Sequence, residues 1–273
     1  FLQRGDLALV IGPTFGEYSR TAALMGAVVH SWQAQAEDDF AVWPEAVEEK
    51  LRQIKPKLVF VCNPNNPTGR LLPPNFFAAW AGAWPDTLFV VDEAYLAFAA
   101  EARSTLSLGL TNILVLRSMT KDYALAGLRL GYAVGPNPAV IAALSRTRPA
   151  WNVNALAQAA GIAALADQPY LQRCLGQLLP AKVELSRGLA GLGLSPVPGS
   201  THFFLLRVGN AAAFRQVLLK QGLLVRDCAS FGLPAYVRIA TRRPAENERL
   251  LAAVEKLLSA EQQRKRLLPE VGS

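Results

Sequence analysis

Lys121 lies in Ser118-Met119-Thr120-Lys121, and Arg129 follows in Ala126-Gly127-Leu128-Arg129. Upstream stand Asn63-Pro64-Asn65-Asn66-Pro67-Thr68-Gly69 and Asp92-Glu93-Ala94-Tyr95, and downstream Tyr236-Val237-Arg238. A lysine amine can form a Schiff base with a carbonyl compound. A carboxylate such as Asp92 can keep a heterocyclic nitrogen protonated, and the Asn66 amide and Tyr95 phenol can reach one ring oxygen. Ser118 and Thr120 offer hydroxyls to a phosphate, and the Arg129 guanidinium near them can clamp it bidentately.

Each of these residues also has an ordinary reading. Asp92 can be a helix cap or loop aspartate, and Lys121 a surface lysine. Phe15, in Gly12-Pro13-Thr14-Phe15-Gly16-Glu17-Tyr18, is either a core aromatic or a plate stacked on a ring. Arg226 and Arg238 sit on strand-like segments, where an arginine often faces outward, and Asp227 beside Arg226 offers a structural ion pair. Taken together, an amine, a carboxylate, a phenol, an amide and arginines in this order are what a pyridoxal 5'-phosphate (PLP) site needs.

The elements that must position these groups alternate in type. Segments 7–11, 28–32, 58–62, 88–91 and 113–117 are short apolar runs that read as strands. Between them 19–24, 44–54 and 75–84 read as helices, the second with Pro44 in its first turn. Continuous apolar strands between helices indicate a parallel sheet covered on both faces. Phe15, Asn66, Asp92 and Ser118 to Lys121 fall just after strands, where open α/β sheets bind ligands. A further strand is expected at 130–132. Beyond about residue 150 the pattern changes to helices at 155–166, 171–189, 211–221 and 246–258, and strands at 203–208, 223–226 and 236–240. The expected division is a large α/β domain over 1–155 and a smaller α+β domain with its connecting helix over 156–273.

Bulk properties narrow the function. At 273 residues and 51% hydrophobic content, the chain can bury one large core or two ordinary ones. No apolar run reaches the ~18–20 residues of a membrane span, so no membrane partner is expected. Three dispersed cysteines without a CxxC fit a reducing compartment, and the expectation is a cytoplasmic protein. Two histidines make a histidine-based metal site or triad a poor reading, and no metal is expected. The net charge of +7 reads as a basic surface, with Arg264-Lys265-Arg266 as a solvated tail rather than a nucleic-acid arm.

The strings 63–69, 91–95, 118–121 with 126–129, and 236–240 occur in the order found in fold-type I PLP enzymes. The chain resembles the class I/II aminotransferases among them. That resemblance implies a PLP-transferase fold, with Lys121 as the Schiff-base lysine and Asp92 on the pyridine nitrogen. It places Asn66 and Tyr95 on the ring hydroxyl, Phe15 stacked on the ring, and Ser118, Thr120 and Arg129 on the cofactor phosphate. Arg238 would bind a substrate carboxylate and Arg226 a substrate phosphate. It also implies a homodimer acting on a small phosphorylated amino compound. Two branches are near, and segment 224–234 looks most like threonine-phosphate decarboxylases. The first expectation is therefore decarboxylation of O-phospho-L-threonine to aminopropanol phosphate in cobalamin side-chain synthesis. Histidinol-phosphate or related aminotransfer is the alternative, and the sensor domain of a transcriptional regulator a third. The family's N-terminal arm and glycine-rich turn precede the first strand, so a chain opening at Phe1 reads as lacking natural N-terminal sequence.

Overall fold

The computed structural model describes residues 1–267, with side chains through residue 260. The apolar runs become strands β1 (Leu7–Gly12), β2 (Val28–Gln33), β3 (Leu58–Cys62), β4 (Leu88–Asp92), β5 (Ile113–Ser118) and β6 (Gly131–Val134). They form one sheet in the order β2-β1-β3-β4-β5-β6. The first five strands are parallel, whereas β6 returns antiparallel to β5.

Alternate residues of each strand feed opposite layers. Leu9, Val59, Val61, Phe89, Val91 and Val115 enter the main core against Val47, Leu51 and Ile54 of α2 (Pro44–Ile54) and Phe77 and Trp80 of α3 (Pro74–Ala83). On the other face Val10 and Cys62 pack with Tyr18 of α1 (Glu17–Leu24). There too Leu58, Val90 and Leu114 meet Val140, Ile141 and Leu144 of α4 (Pro138–Thr147), a helix not expected from the sequence. The fold is thus α/β with a mainly parallel, doubly covered sheet.

In α2 the apolar residues recur at helical spacing, Pro44 opens the first turn, and Lys55 caps the end in the left-handed region. Truncating Leu51, which is fully buried, to Ala would cost about 2–5 kcal/mol.

The chain divides into two units, Phe1–Arg173 with Pro198–Thr201, and Cys174–Val197 with the residues from His202 onward. The first also contains α5 (Ala155–Ala166), and the division falls within α6 (Gln168–Gly191). The second holds β7 (Phe203–Arg207), α7 (Ala211–Leu219), β8 (Arg226–Asp227), β9 (Tyr236–Ala240) and α8 (Pro244–Leu267). Its antiparallel sheet runs β7-β9-β8. Phe204, Leu206, Val237 and Ile239 pack on Leu185 and Leu189 of α6, Leu218 of α7 and Val254 of α8.

The strand expected at 223–226 is only two residues long and starts at Arg226. Leu223 N–H bonds to Leu218 O at the end of α7, which diverts the start of that run from the ladder. The expected tail Arg264-Lys265-Arg266 falls where side chains lie outside the described residues. Among the described residues no helix is long and apolar enough to cross a membrane, and no cluster of His, Cys, Asp and Glu could hold a metal.

Candidate active site

The parallel strands of the large sheet deliver the reactive side chains to one edge. Asp92 is the last residue of β4 and Ser118 the last of β5, while Phe15 and Asn66 lie in the loops after β1 and β3. The strand order reverses between β1 and β3, the kind of position where open α/β sheets form a ligand crevice. Phe15, Asn66, Asp92, Tyr95, Ser118, Thr120, Lys121 and Arg129 all line one open pocket of about 560 Å³.

Asp92 is held at both oxygens. The Tyr18 hydroxyl donates to Oδ2 at 2.6 Å, and the Ala94 N–H donates to Oδ1 at 2.9 Å. Burial, reinforced by Cys62 and Asp92 nearby, pushes the Tyr18 phenol well above its usual value, so it remains a donor. Burial likewise pushes the Cys62 thiol up to about 12, with Asp92 adding to the effect. The Asp92 carboxylate therefore faces a neutral phenol and a neutral thiol.

Lys121 Nζ stands 5.6 Å from the centroid of the buried Tyr95 ring. Ser118 Oγ and Thr120 Oγ1 are 2.7 Å apart. Arg129 takes the left-handed region at φ 55°, uncommon for a residue with a side chain, and donates to Ala126 O at 3.0 Å. Phe15 is 45% exposed and meets Tyr18 edge-on at 5.7 Å, so it is not a core aromatic.

Among the further residues that line the pocket, four bring titratable side chains not assigned from the sequence: Tyr18, Cys62, Arg117 and Tyr132. Tyr18 belonged to a string already singled out, but its partner Asp92 is 74 positions away. Arg117 pairs with Glu93 at 2.9 Å. Glu93 is fully buried and also accepts from Ser104 Oγ and from the N–H and hydroxyl of Thr105. This network ties the ends of β4 and β5 together beneath the pocket.

Arg226 and Arg238 belong to the second unit and stand directly opposite each other in the β8–β9 register. Both line a cleft of about 510 Å³ in that unit. Arg226 donates to Ser230 Oγ at 2.9 Å and lies over the Phe231 ring. Among the described residues Arg226 forms no ion pair with Asp227, whose Oδ1 accepts from Ala229 N at 2.7 Å. The Arg238 guanidinium sits 4.8 Å over the Phe203 ring. The two arginines thus place cationic side chains on one cleft of the second unit.

The donor set of the first pocket matches a phosphorylated pyridine carbaldehyde in its chemistry. It offers an amine for the carbonyl, a doubly held carboxylate for the ring nitrogen, an aromatic face, and two hydroxyls with a guanidinium for the phosphate. The residues present fit PLP.

Comparison with known proteins agrees. A family model described as aminotransferase class I and II matches residues 1–254. Histidinol-phosphate aminotransferase 2 of Ralstonia nicotianae is 41% identical over 212 residues, covering 74% of this chain and 56% of the relative. The chain thus spans little more than half the length of that relative. The structure of histidinol-phosphate aminotransferase from Sinorhizobium meliloti in complex with pyridoxal-5'-phosphate matches with TM-score 0.84 and 27% identity, covering 95% of this chain and 72% of that one. L-threonine-O-3-phosphate decarboxylase from Porphyromonas gingivalis matches with TM-score 0.80 and 30% identity, covering 94% and 78%.

Proposed function

Because this chain belongs to the aminotransferase class I and II family, we propose that it is a PLP-dependent aminotransferase acting on a phosphorylated amine of the histidinol-phosphate class. The observation that carries this reading is the convergence of Lys121, Asp92, Tyr95, Ser118, Thr120 and Arg129 on one pocket. PLP, when bound, supplies the electron sink that lets the α-carbon of an attached amine lose a proton.

The chain's own residues do the rest. Asp92, held by Tyr18 and Ala94, keeps a proton on the ring nitrogen. Phe15 would cover a face of the cofactor ring, and Asn66 and Tyr95 would donate to its phenolic oxygen. Ser118, Thr120 and Arg129 hold the phosphate. Lys121 Nζ would hold the cofactor's carbonyl carbon and is the amine placed to take a proton from the substrate α-carbon. Arg226 takes the substrate phosphate, and Arg238 the carboxylate of the oxo-acid partner.

Decarboxylation of O-phospho-L-threonine, the first expectation from the sequence, is the second reading, and the similarity to the Porphyromonas decarboxylase favours it. The role expected of Arg238 weighs against it. An arginine-paired carboxylate is stabilised in the ground state, which opposes loss of CO2, whereas an oxo-acid acceptor profits from the same contact. The higher identity to a histidinol-phosphate aminotransferase supports the same choice.

The test incubates the PLP-loaded gene product with histidinol phosphate plus 2-oxoglutarate and, separately, with O-phospho-L-threonine, reading products by mass spectrometry. Glutamate formation is the expected result. Aminopropanol phosphate without glutamate would replace this reading with the decarboxylase. Lys121→Ala should abolish borohydride trapping of PLP, and retained trapping would remove Lys121 from its role. We also propose a homodimer, supported by the exposed apolar side chains Trp151, Leu156 and Ile162.

A further inference from the structure

We propose that Tyr18 is a positioning residue of this site: its hydroxyl fixes the orientation of Asp92 while its ring braces Phe15. One buried side chain thereby sets both the partner of the ring nitrogen and the plate on the ring face. The inference rests on the PLP reading above.

Tyr18 sits in the first turn of α1, buried, its ring stacked on Phe60 at 5.1 Å and 10°. Phe15 meets the same ring edge-on, at 5.7 Å and 82°. The hydroxyl points the other way, to Asp92 Oδ2 at 2.6 Å. With Ala94 N–H on Oδ1, the two carboxylate oxygens are tied to groups on different elements, so the carboxylate cannot swing about its own axis. Each oxygen keeps acceptor capacity for a ring N–H. Since burial holds the phenol protonated, it donates and Asp92 accepts across the working pH range.

Without the hydroxyl, Asp92 keeps only the backbone bond and can turn from the ring nitrogen. A proton on that nitrogen withdraws electrons from the Schiff base of Lys121 and lowers the pH at which it deprotonates. A misaligned carboxylate must raise that midpoint.

The experiment uses the PLP-loaded gene product. It reads the pH midpoint of the absorbance of the Lys121-linked chromophore, the PLP dissociation constant, and kcat and KM. Tyr18→Phe keeps the stack on Phe60 and removes only the hydroxyl. It should raise the midpoint by about one unit and weaken PLP about 10-fold, the scale of one charge-assisted hydrogen bond. The same variant should lower kcat with little change in KM. Phe60→Leu loosens the ring but spares the hydroxyl and should leave the midpoint in place. On an Asp92→Asn background, Tyr18→Phe should add nothing, because its effect runs through Asp92. Tyr18→His, which keeps a donor, should fall between wild type and Tyr18→Phe, and it carries the comparison if Tyr18→Phe does not accumulate folded. An unmoved midpoint in Tyr18→Phe, an equal shift in Phe60→Leu, or an additive effect on Asp92→Asn overturns the proposal. A wild type with no trappable chromophore on Lys121 overturns the PLP reading instead, before any variant is compared.

Discussion

Asp92 and Glu93 are sequence neighbours with different surroundings. Asp92 ends β4 and faces the open pocket, while Glu93 turns into the protein and is fully buried. Four hydrogen bonds and ion-pair contacts, from Arg117, Ser104 and Thr105, satisfy it there. Removing one partner of such a pair strands the other, so Glu93→Ala should lose about 3 kcal/mol in urea unfolding. A loss below about 1 kcal/mol would mean that the network relaxes around Arg117 without cost. The convergence of Asp92 and Lys121 on one pocket was legible in the sequence because each falls after an apolar run that ends at the same sheet edge. Tyr18 and Arg117 were not, since their roles are set by partners brought near only by sheet assembly. Nothing in their flanking residues marks them as donors to Asp92 and Glu93.

At the scale of elements, legibility follows the strength of local patterning. Helix α2 has proline at its start and apolar residues at helical spacing, and its bounds match the expected 44–54. Strand β6 was expected, but its antiparallel direction depends on the loop before it, where Ala124 and Arg129 take left-handed conformations. Helix α4 escaped although Asn137 caps its start, Pro138 opens its first turn and its apolar residues lie partly buried against the sheet. The first turn of α8 shows local electrostatics at work. Arg243 and Arg242 hold the Glu246 carboxyl at about 2, below its ordinary 4.5. A lowered folded-state value means that the unfolded chain binds the proton more readily. The contribution is therefore present above about pH 4.5 and lost as pH falls towards 2. The stability difference between wild type and Glu246→Gln should be positive at neutral pH and vanish near pH 2. The difference should be small, and smaller still in 1 M salt, because these guanidinium groups are exposed. A difference that grows on acidification would contradict the assignment.

At the scale of the whole molecule, each unit has its own apolar core, one around Trp80 and Phe89 and one around Phe204 and Leu206. The change of pattern near residue 150 led to an expected division after residue 155, whereas the units part within α6, between Arg173 and Cys174. What the sequence did not show is how exposed α5 remains. The helix Ala-Leu-Ala-Gln-Ala-Ala-Gly-Ile-Ala-Ala-Leu-Ala carries one polar side chain, yet only Ala157 and Gly161 are buried. Leu156 is 77% exposed, Ile162 74% and Trp151, just before the helix, 98%. A helix apolar on every side belongs in an interior, and this one finds too little cover within its own unit. The proposed homodimer would supply it if each copy covered the other's helix. Leu156→Glu or Ile162→Glu puts a charge where an apolar surface would be desolvated, which should weaken association by at least 10-fold. Sedimentation velocity at about 10 µM, a concentration at which submicromolar dimers stay associated, should show wild type as a dimer and either variant shifted towards monomer, with unchanged circular dichroism. A monomeric wild type would remove the homodimer, and variants that dimerise as tightly as wild type would move the interface elsewhere; either outcome leaves the apolar surface of α5 to another partner.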